Sequence, residues 1–251
     1  MCTVVMLRQP AGKWPFLLAA NRDEMLSRDW LPPNRHWRDR PNVWGGYDEL
    51  AKGTWLALND EGIVSIVLNR KDSLGPQIGK RSRGELPLEA VDHAEARVAA
   101  KELSMIEPGS YRSFNLIIAD ARDAFWLKSL GQPGGKVYVT VIPEGISMIT
   151  SADLNDLSSV RIINQLPKFK IAEKPRPEED DWFAWQILLG ARKETLGGHH
   201  GVSLNLDNYN GFGTVSSSLI ALPKTGLVAT KPKWLFAAGR PDETPYISAI
   251  T

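Results

Sequence analysis

The sequence contains little cysteine: one residue, Cys2, among 251. One cysteine excludes an internal disulfide and fits a reducing compartment, which predicts a cytoplasmic location. Positive and negative charges nearly cancel, at a formal net charge of +1, so the chain lacks the basic footprint of a nucleic-acid-binding protein. No apolar run approaches the roughly 20 residues that cross a bilayer, which predicts no membrane span. Arg8, Pro10 and Gly12 interrupt the first apolar stretch, which therefore does not resemble a secretory signal.

The amino-acid composition is that of a globular domain, with 43% hydrophobic and 24% charged residues. Short apolar runs separated by turn residues predict antiparallel strand pairs, as in residues 54–58 and 63–68. Helical periodicity predicts helices over residues 87–103 and 182–192. Because the helices are grouped between strand pairs and do not alternate with single strands, the predicted class is α+β, in one domain over residues 1–251.

Three further segments carry specific expectations. Residues 25–50 are rich in proline and glycine and contain three tryptophans spaced seven apart, which predicts a long ordered loop. Residues 137–142 and 146–150 flank a Pro-Glu-Gly turn and are predicted to pair with each other. Residues 214–222, 227–230 and 234–238 are predicted as closing strands.

The first two dozen residues contain the strongest candidate site. Residues 4–7 and 15–20 are apolar runs joined by a Pro-Ala-Gly-Lys turn, which predicts a β-hairpin. A hairpin returns the end of its second strand to the start of its first, so Asn21, Arg22 and Asp23 are expected beside Cys2. The alternative interpretation of these three residues is a solvated polar turn.

Cys2 follows Met1 and is small enough for removal of the initiator methionine, so we expect a mature chain that begins with Cys2. Such a residue combines a thiol, of ordinary pKa about 8.5, with a free α-amine, of ordinary pKa about 7.7–8.0. This combination places a nucleophile beside its own general base. The alternative interpretation is an inert thiol near a chain end.

Other chemical motifs are weak. His199 and His200 lie in a Gly-rich segment, but the other histidines, His36 and His93, give no recognisable metal-ligand spacing. No Gly-rich phosphate loop precedes a predicted helix. The sequence therefore predicts neither a metal site nor a cofactor.

Several segments resemble the NRDE family, the transport and Golgi organization protein 2 type. The matching stretches are Met1-Cys2, Ala19-Ala20-Asn21-Arg22-Asp23-Glu24, Gly45-Gly46-Tyr47-Asp48, Gly53-Thr54-Trp55-Leu56-Ala57, Asn69-Arg70, Ser82-Arg83-Gly84-Glu85-Leu86, Phe114-Asn115-Leu116 and Gly213-Thr214 with Ser216-Ser217-Ser218. The family in turn resembles the N-terminal nucleophile (Ntn) hydrolases of the cysteine branch, such as choloylglycine hydrolases and penicillin V acylase. The resemblance implies a four-layer αββα sandwich of two antiparallel sheets.

The same resemblance implies an activity and a set of site residues. It implies hydrolysis of a C–N bond in a small linear amide, with an acyl or amide molecule as the binding partner. The implied catalytic residues are Cys2, Arg22, Asp23 and Asn69. The residues assigned to substrate binding, which lie in or beside the family motifs, are Asn21, Glu24, Trp55, Arg70 and Ser151.

Two positions depart from the family pattern. Ser151 stands where the family has asparagine, and Val215 stands where it has arginine. Loss of one oxyanion donor typically lowers the rate by a factor of about 10²–10³. The sequence therefore leaves a second function open, a non-catalytic carrier or chaperone that binds haem or an acyl-CoA-type lipid in the same cavity.

Overall fold

A computed structural model describes residues 2–192, 202–226 and 230–250. Its strands, in chain order, are β1 (Thr3–Arg8), β2 (Phe16–Met25), β3 (Trp30–Asn34), β4 (Val43–Asp48), β5 (Leu56–Asn59), β6 (Val64–Asn69), β7 (Phe114–Ala119), β8 (Ala124–Ser129), β9 (Val137–Val141), β10 (Gly145–Ile149), β11 (Phe212–Leu222), β12 (Lys233–Ala237) and β13 (Ile247–Ser248). Its α-helices are α1 (Leu86–Val91), α2 (Ala96–Leu103), α3 (Val160–Ile171) and α4 (Phe183–Gly190).

The strands form two antiparallel sheets. The first sheet has the order β10-β1-β2-β11-β12-β13, and the second runs from β3 to β9 in chain order. Side chains alternate along each strand, so β1 directs Val4 and Met6 into the core between the sheets and Val5 and Leu7 to its other face. Burial of both faces explains why β1 is a continuous apolar run and does not alternate apolar with polar residues.

Helices cover the outer face of each sheet. Helices α1 and α2 bury residues such as Leu86 and Ala99 against the second sheet. Helices α3 and α4 bury residues such as Ile162 and Trp185 against the first. The layers are therefore helix, sheet, sheet and helix, and the predicted α+β αββα sandwich is confirmed. Within the described residues, no helix is both long enough and apolar enough to cross a membrane. The single-domain assignment stays a prediction.

The prediction of one continuous helix over residues 87–103 is wrong, because the structure has two helices with a break between Val91 and Ala96. The side-chain amide of Asn59 donates to the carbonyls of Val91 and His93, at 2.8 and 3.0 Å. The carboxylate of Asp120 accepts from the backbone N–H of Ala96 at 2.9 Å. These tertiary hydrogen bonds replace helical ones, and none of them is visible in the periodicity.

The loop predicted over residues 25–50 is also wrong in part, because it contains strands β3 and β4. Pro32 and Pro33 lie inside β3, the edge strand of the second sheet. An edge strand tolerates proline because its outer N–H groups have no ladder partner to lose. The β3–β4 register shifts between Leu31 and Asn34, at the two prolines.

The predicted pairing of residues 137–142 with 146–150 is wrong. Strand β9 pairs with β8 in the second sheet, whereas β10 pairs with β1 in the first, with Val4 opposite Ile149. The connecting turn therefore passes from one sheet to the other. Strands β11 and β12 confirm two of the closing strands. Residues 227–229 of the third lie outside the described part of the chain.

Candidate active site

The N-terminal hairpin brings Cys2 next to the end of β2. Thr3 pairs with Asn21, and extending this antiparallel register by one residue sets Cys2 beside Arg22. The half-buried Cys2 packs against the core between the sheets. Its thiol donates to the backbone carbonyl of Asp23 at 3.6 Å.

Alternation along β2 divides the Asn-Arg-Asp-Glu motif between the two faces of the sheet. Arg22 and Glu24 line a cavity of about 430 Å³ that also contains Cys2. Asn21 is buried on the other side, where its amide donates to the carbonyls of Leu189 and Leu204, both at 3.0 Å. The structure therefore places Asn21 in the contact with the helical layer and does not bring it to the cavity.

Asp23 lies on the same face as Asn21 and is buried. Its carboxylate accepts from the Thr214 hydroxyl at 2.8 Å and pairs with Nη1 of Arg161 at 3.3 Å. The same Arg161 nitrogen donates to the hydroxyl of Thr3 at 2.9 Å. Sequence reasoning missed Arg161 and Thr214. One available signal was that Arg161 belongs to the buried stripe of α3, where a charge requires a partner.

Arg22 is held between an aromatic ring and two carboxylates. It is 6% exposed, and its guanidinium lies 4.0 Å from the centroid of the Trp55 ring. Its Nη2 lies 3.7 Å from Asp48 and 4.0 Å from Glu24. Its Nη1 has no hydrogen-bond partner among the described residues. Burial lowers the pKa of Arg22, and the charges of Cys2, Glu24 and Asp48 oppose that shift.

The position of Trp55 depends on the absence of a Cβ at Gly46. A Cβ at Gly46 would lie 2.2 Å from Cη2 of Trp55, so only glycine leaves room for the indole. Trp30 meets Trp55 edge-on, with the ring centroids 5.7 Å apart. Gly46 of β4 thus leaves space for the ring on which Arg22 stacks.

The cavity collects five of the predicted site residues. Cys2, Arg22, Glu24, Trp55 and Asn69 all line it. Asn69 ends β6, and its side-chain amide makes no hydrogen bond with any described residue. A volume of about 430 Å³ lies within the range of about 300–1,000 Å³ that is usual for small-molecule sites.

Arg70 points into a separate polar cluster and does not line the cavity. It donates to Asn115 and to Asp153, both at 2.6 Å. Asn115 in turn donates to the carbonyls of Thr150 and Ala152, at 3.0 and 2.8 Å. Asn115 thereby ties the second sheet to the segment after β10 in the first.

Both departures from the family pattern lie close to the thiol. Ser151 is buried after β10, and extending the β1–β10 register by two residues sets it opposite Cys2. It does not line the 430 Å³ cavity. Val215 occupies a β-bulge between Thr214 and Ser216, which pair with Asp23 and Arg22.

The surroundings of the thiol favour its protonated form. Burial raises the pKa of Cys2, and the negative charge of Asp23 raises it further, while the positive charge of Arg22 acts in the opposite direction. A thiol with a raised pKa needs a base to become a nucleophile. Within the described ranges, no group of three or more His, Cys, Asp or Glu side chains is arranged to hold a metal ion. His199 and His200 lie outside those ranges.

Comparison with known proteins identifies the family. A sequence model of the family Transport and Golgi organisation 2 matches residues 1–182. The chain belongs to this family. No curated protein sequence matches it.

Two solved structures are similar to this family member over most of its length. One is the Caenorhabditis elegans ortholog of N-acylethanolamine-hydrolyzing acid amidase, at 12% identity, with 87% of this chain and 92% of that chain covered and a TM-score of 0.50. The other is a variant of conjugated bile acid hydrolase from Clostridium perfringens, at 11% identity, with 98% and 96% covered and a TM-score of 0.50. At these identities the likeness shows the Ntn-hydrolase fold alone.

Proposed function

We propose that the protein is an N-terminal cysteine hydrolase that cleaves the C–N bond of a small linear amide. The observation that carries this proposal is the convergence of three groups on one cavity. Cys2 supplies the thiol, Asn69 supplies an amide that has no partner among the described residues, and Arg22 supplies a buried positive charge. These are a nucleophile, a hydrogen-bond donor for an oxyanion and an electrostatic partner for a thiolate.

The α-amine of Cys2 supplies the base once Met1 is removed. The neutral amine, acting through a water molecule, takes the thiol proton, and the thiolate attacks the amide carbonyl carbon. As the tetrahedral intermediate collapses, the C–N bond breaks and the ammonium returns its proton to the leaving nitrogen. Water then attacks the thioester, which releases the acid and restores the thiol.

The proposed oxyanion site consists of the Asn69 amide and a backbone N–H near β2. Asp23 holds a negative charge in a fixed position beside the N-terminal amine, because Arg161 and Thr214 hold its carboxylate in one position. A lone acidic group on a mobile side chain would orient the amine poorly, and orientation is a large part of catalysis.

A second candidate is a non-catalytic carrier that binds haem or an acyl-CoA-type lipid in the same cavity. Ser151 and Val215 favour it, because both replace longer polar side chains of the family pattern at positions next to Cys2 and Arg22. A carrier needs the shape of the cavity and does not need the thiol.

Intact-mass measurement separates the two functions. We expect the purified protein to begin at Cys2, and we expect a panel of amides and β-lactams to leave an acyl adduct on that residue. Retention of Met1 would remove the proposed base and contradict the mechanism.

The matched variant is Cys2→Ala, with circular dichroism as the control for folding. Loss of a covalent nucleophile lowers turnover by a factor of up to about 10⁶. Loss of one thiol contact changes binding by only about 1 kcal/mol. Absence of turnover by the parent protein, together with equal haem or acyl-CoA binding by both proteins, would support the carrier.

A further inference from the structure

One wall of the cavity has an excess of positive charge. The segment between β6 and α1 contributes Lys80, Arg81 and Arg83, and Arg112 stands beside it. These side chains line the same cavity as Cys2 but lie outside the set of groups that the proposed chemistry uses. Their positive charge is therefore available for recognition of a negatively charged group of a ligand.

The remaining charges of the cavity are nearly balanced. Arg28 forms a bidentate pair with Asp48, at 2.7 and 3.1 Å, and Glu24 lies 3.9 Å from Arg28. Asp48 and Glu24 also face Arg22. These two cations and two carboxylates offset one another near the thiol.

The cations of the opposite wall divide into two kinds. Arg81 pairs with Glu85 and Glu89, so its charge is neutralised. Lys80, Arg83 and Arg112 form no ion pair with a carboxylate of the described residues. These three cations donate to uncharged oxygens: Lys80 to the Gly109 carbonyl, Arg83 to the oxygens of Ser73, Gly75 and Ser113, and Arg112 to the carbonyls of Asp72, Leu74, Gly75 and Pro76.

The two guanidinium groups are fixed close together. The Gly75 carbonyl accepts from Arg83 at 3.3 Å and from Arg112 at 3.4 Å. Burial, together with the neighbouring charge of Arg112, lowers the pKa of Arg83 to about 10. Two like charges held side by side repel each other, and a bound anion relieves this repulsion. The backbone carbonyls orient the groups but do not neutralise them.

We propose that Arg83, Arg112 and Lys80 form an anion-binding subsite, which holds a carboxylate or phosphate of the substrate while its amide lies at Cys2. The planar guanidinium matches such oxyanions in charge and geometry. This inference rests on the proposed function and narrows its substrate class to amides that carry a negatively charged group. An uncharged amide fills the cavity but leaves the three cations unpaired.

The test compares three probes that share an octanoyl chain. They are N-octanoylglycine, with a carboxylate, N-octanoyl-O-phosphoethanolamine, with a phosphate, and the neutral N-octanoylglycinamide. Their affinities are measured by calorimetry on the full chain carrying Cys2→Ala, in which turnover is absent. We expect at least one charged probe to bind about tenfold or more tightly than the neutral probe, because a hydrogen bond to a charged group contributes more than one to a neutral group. Whichever charged probe binds more tightly shows whether the subsite prefers a carboxylate or a phosphate.

Variants of the wall assign this preference to its residues. Arg112→Gln is expected to weaken binding of the preferred charged probe about tenfold and to leave the neutral probe unchanged, with partial recovery in Arg112→Lys. Arg81→Gln is the matched control, since Arg81 lines the same wall but is already paired; we expect a change of about twofold or less. Higher salt is expected to reduce the charge preference of the parent.

Equal affinities for charged and neutral probes would overturn the subsite, as would an equal loss of both in Arg112→Gln. Turnover of amides with no charge preference would overturn the subsite and leave the hydrolase intact. Charge preference without turnover or an adduct by the wild-type chain would support the subsite and contradict the hydrolase.

Discussion

Asp23 and Arg161 form a buried ion pair between strand β2 and helix α3. Nη1 of Arg161 lies 3.3 Å from the Asp23 carboxylate, and the two side chains are 3% and 0% exposed. Thr3 and Thr214 supply further hydrogen bonds to the pair. The pair thus connects three strands and a helix on the face of β2 opposite Arg22.

Removal of either partner is expected to destabilise the protein. Arg161→Met or Asp23→Asn leaves a buried group without its partner, which costs about 3–5 kcal/mol. The double variant is expected to lose less than the sum of the single losses, because the two side chains interact directly. Urea denaturation measures the free energy of unfolding of the two single variants and the double variant. Arg97→Met is the control, because its pair with Asp123 is exposed and contributes about 1 kcal/mol or less.

The thiol of Cys2 is expected to titrate above the ordinary range of cysteine, because burial and Asp23 both raise its pKa. Only the thiolate reacts with iodoacetamide, so the rate should rise with pH and reach half its maximum above the usual thiol pKa. Arg22→Gln removes a charge that lowers the pKa and should move the midpoint to higher pH. Asp23→Asn should move it to lower pH.

The measurement has no background from other thiols, since Cys2 is the chain's one cysteine. The Cys2→Ala variant checks for alkylation elsewhere. A midpoint at or below the usual thiol pKa would contradict the electrostatics described for the site.

Gly46→Ala is expected to displace Trp55 and to destabilise the protein. The new Cβ would lie 2.2 Å from the indole, and overpacking of this kind costs about 1–3 kcal/mol. Thermal or urea unfolding provides the measurement. The same substitution should cost less in a Trp55→Phe background, where the smaller ring leaves room. Equal costs in the two backgrounds would mean that the contact with Trp55 is not the cause.

Asn115→Leu is expected to cost about 1–3 kcal/mol for each buried group that it leaves without a hydrogen bond. Asn115 accepts from Trp126 and donates to Thr150 and Ala152, and it is completely buried. Asn42→Ala is a suitable control, because the hydrogen bond between the side chains of Asn42 and Glu61 is at the surface; a change within about 0.5 kcal/mol is expected there. If both variants lose the same stability, Asn115 does not link the sheets energetically.

The sequence alone determined the local parts of this architecture. A tight turn between two apolar runs specifies an antiparallel hairpin, so Cys2 and Arg22 had to be neighbours whatever the rest of the chain did. The apolar runs also specified strands with both faces covered, because a strand exposed on one face alternates. The order of helices and strands then indicated the α+β class.

The period of two along a strand decided which neighbours in sequence reach the cavity. Arg22 and Glu24 reach it, whereas Asn21, which directly precedes Arg22 in the motif, faces the helices. Asn69 lines the cavity, whereas Arg70 joins Asn115 and Asp153. These residues are neighbours in the sequence motifs, but only the strand geometry shows which of them face the cavity.

Contacts between distant segments required the tertiary structure. Arg161 and Asp23 are separated by 138 residues, and Arg112 and Gly75 by 37. Neither pair leaves a periodic signal, because a side-chain contact depends on how layers pack and not on spacing along the chain. The strand β10 joins the first sheet for the same reason: a short turn permits a hairpin with β9, but the core between the sheets is completed when β10 pairs with β1.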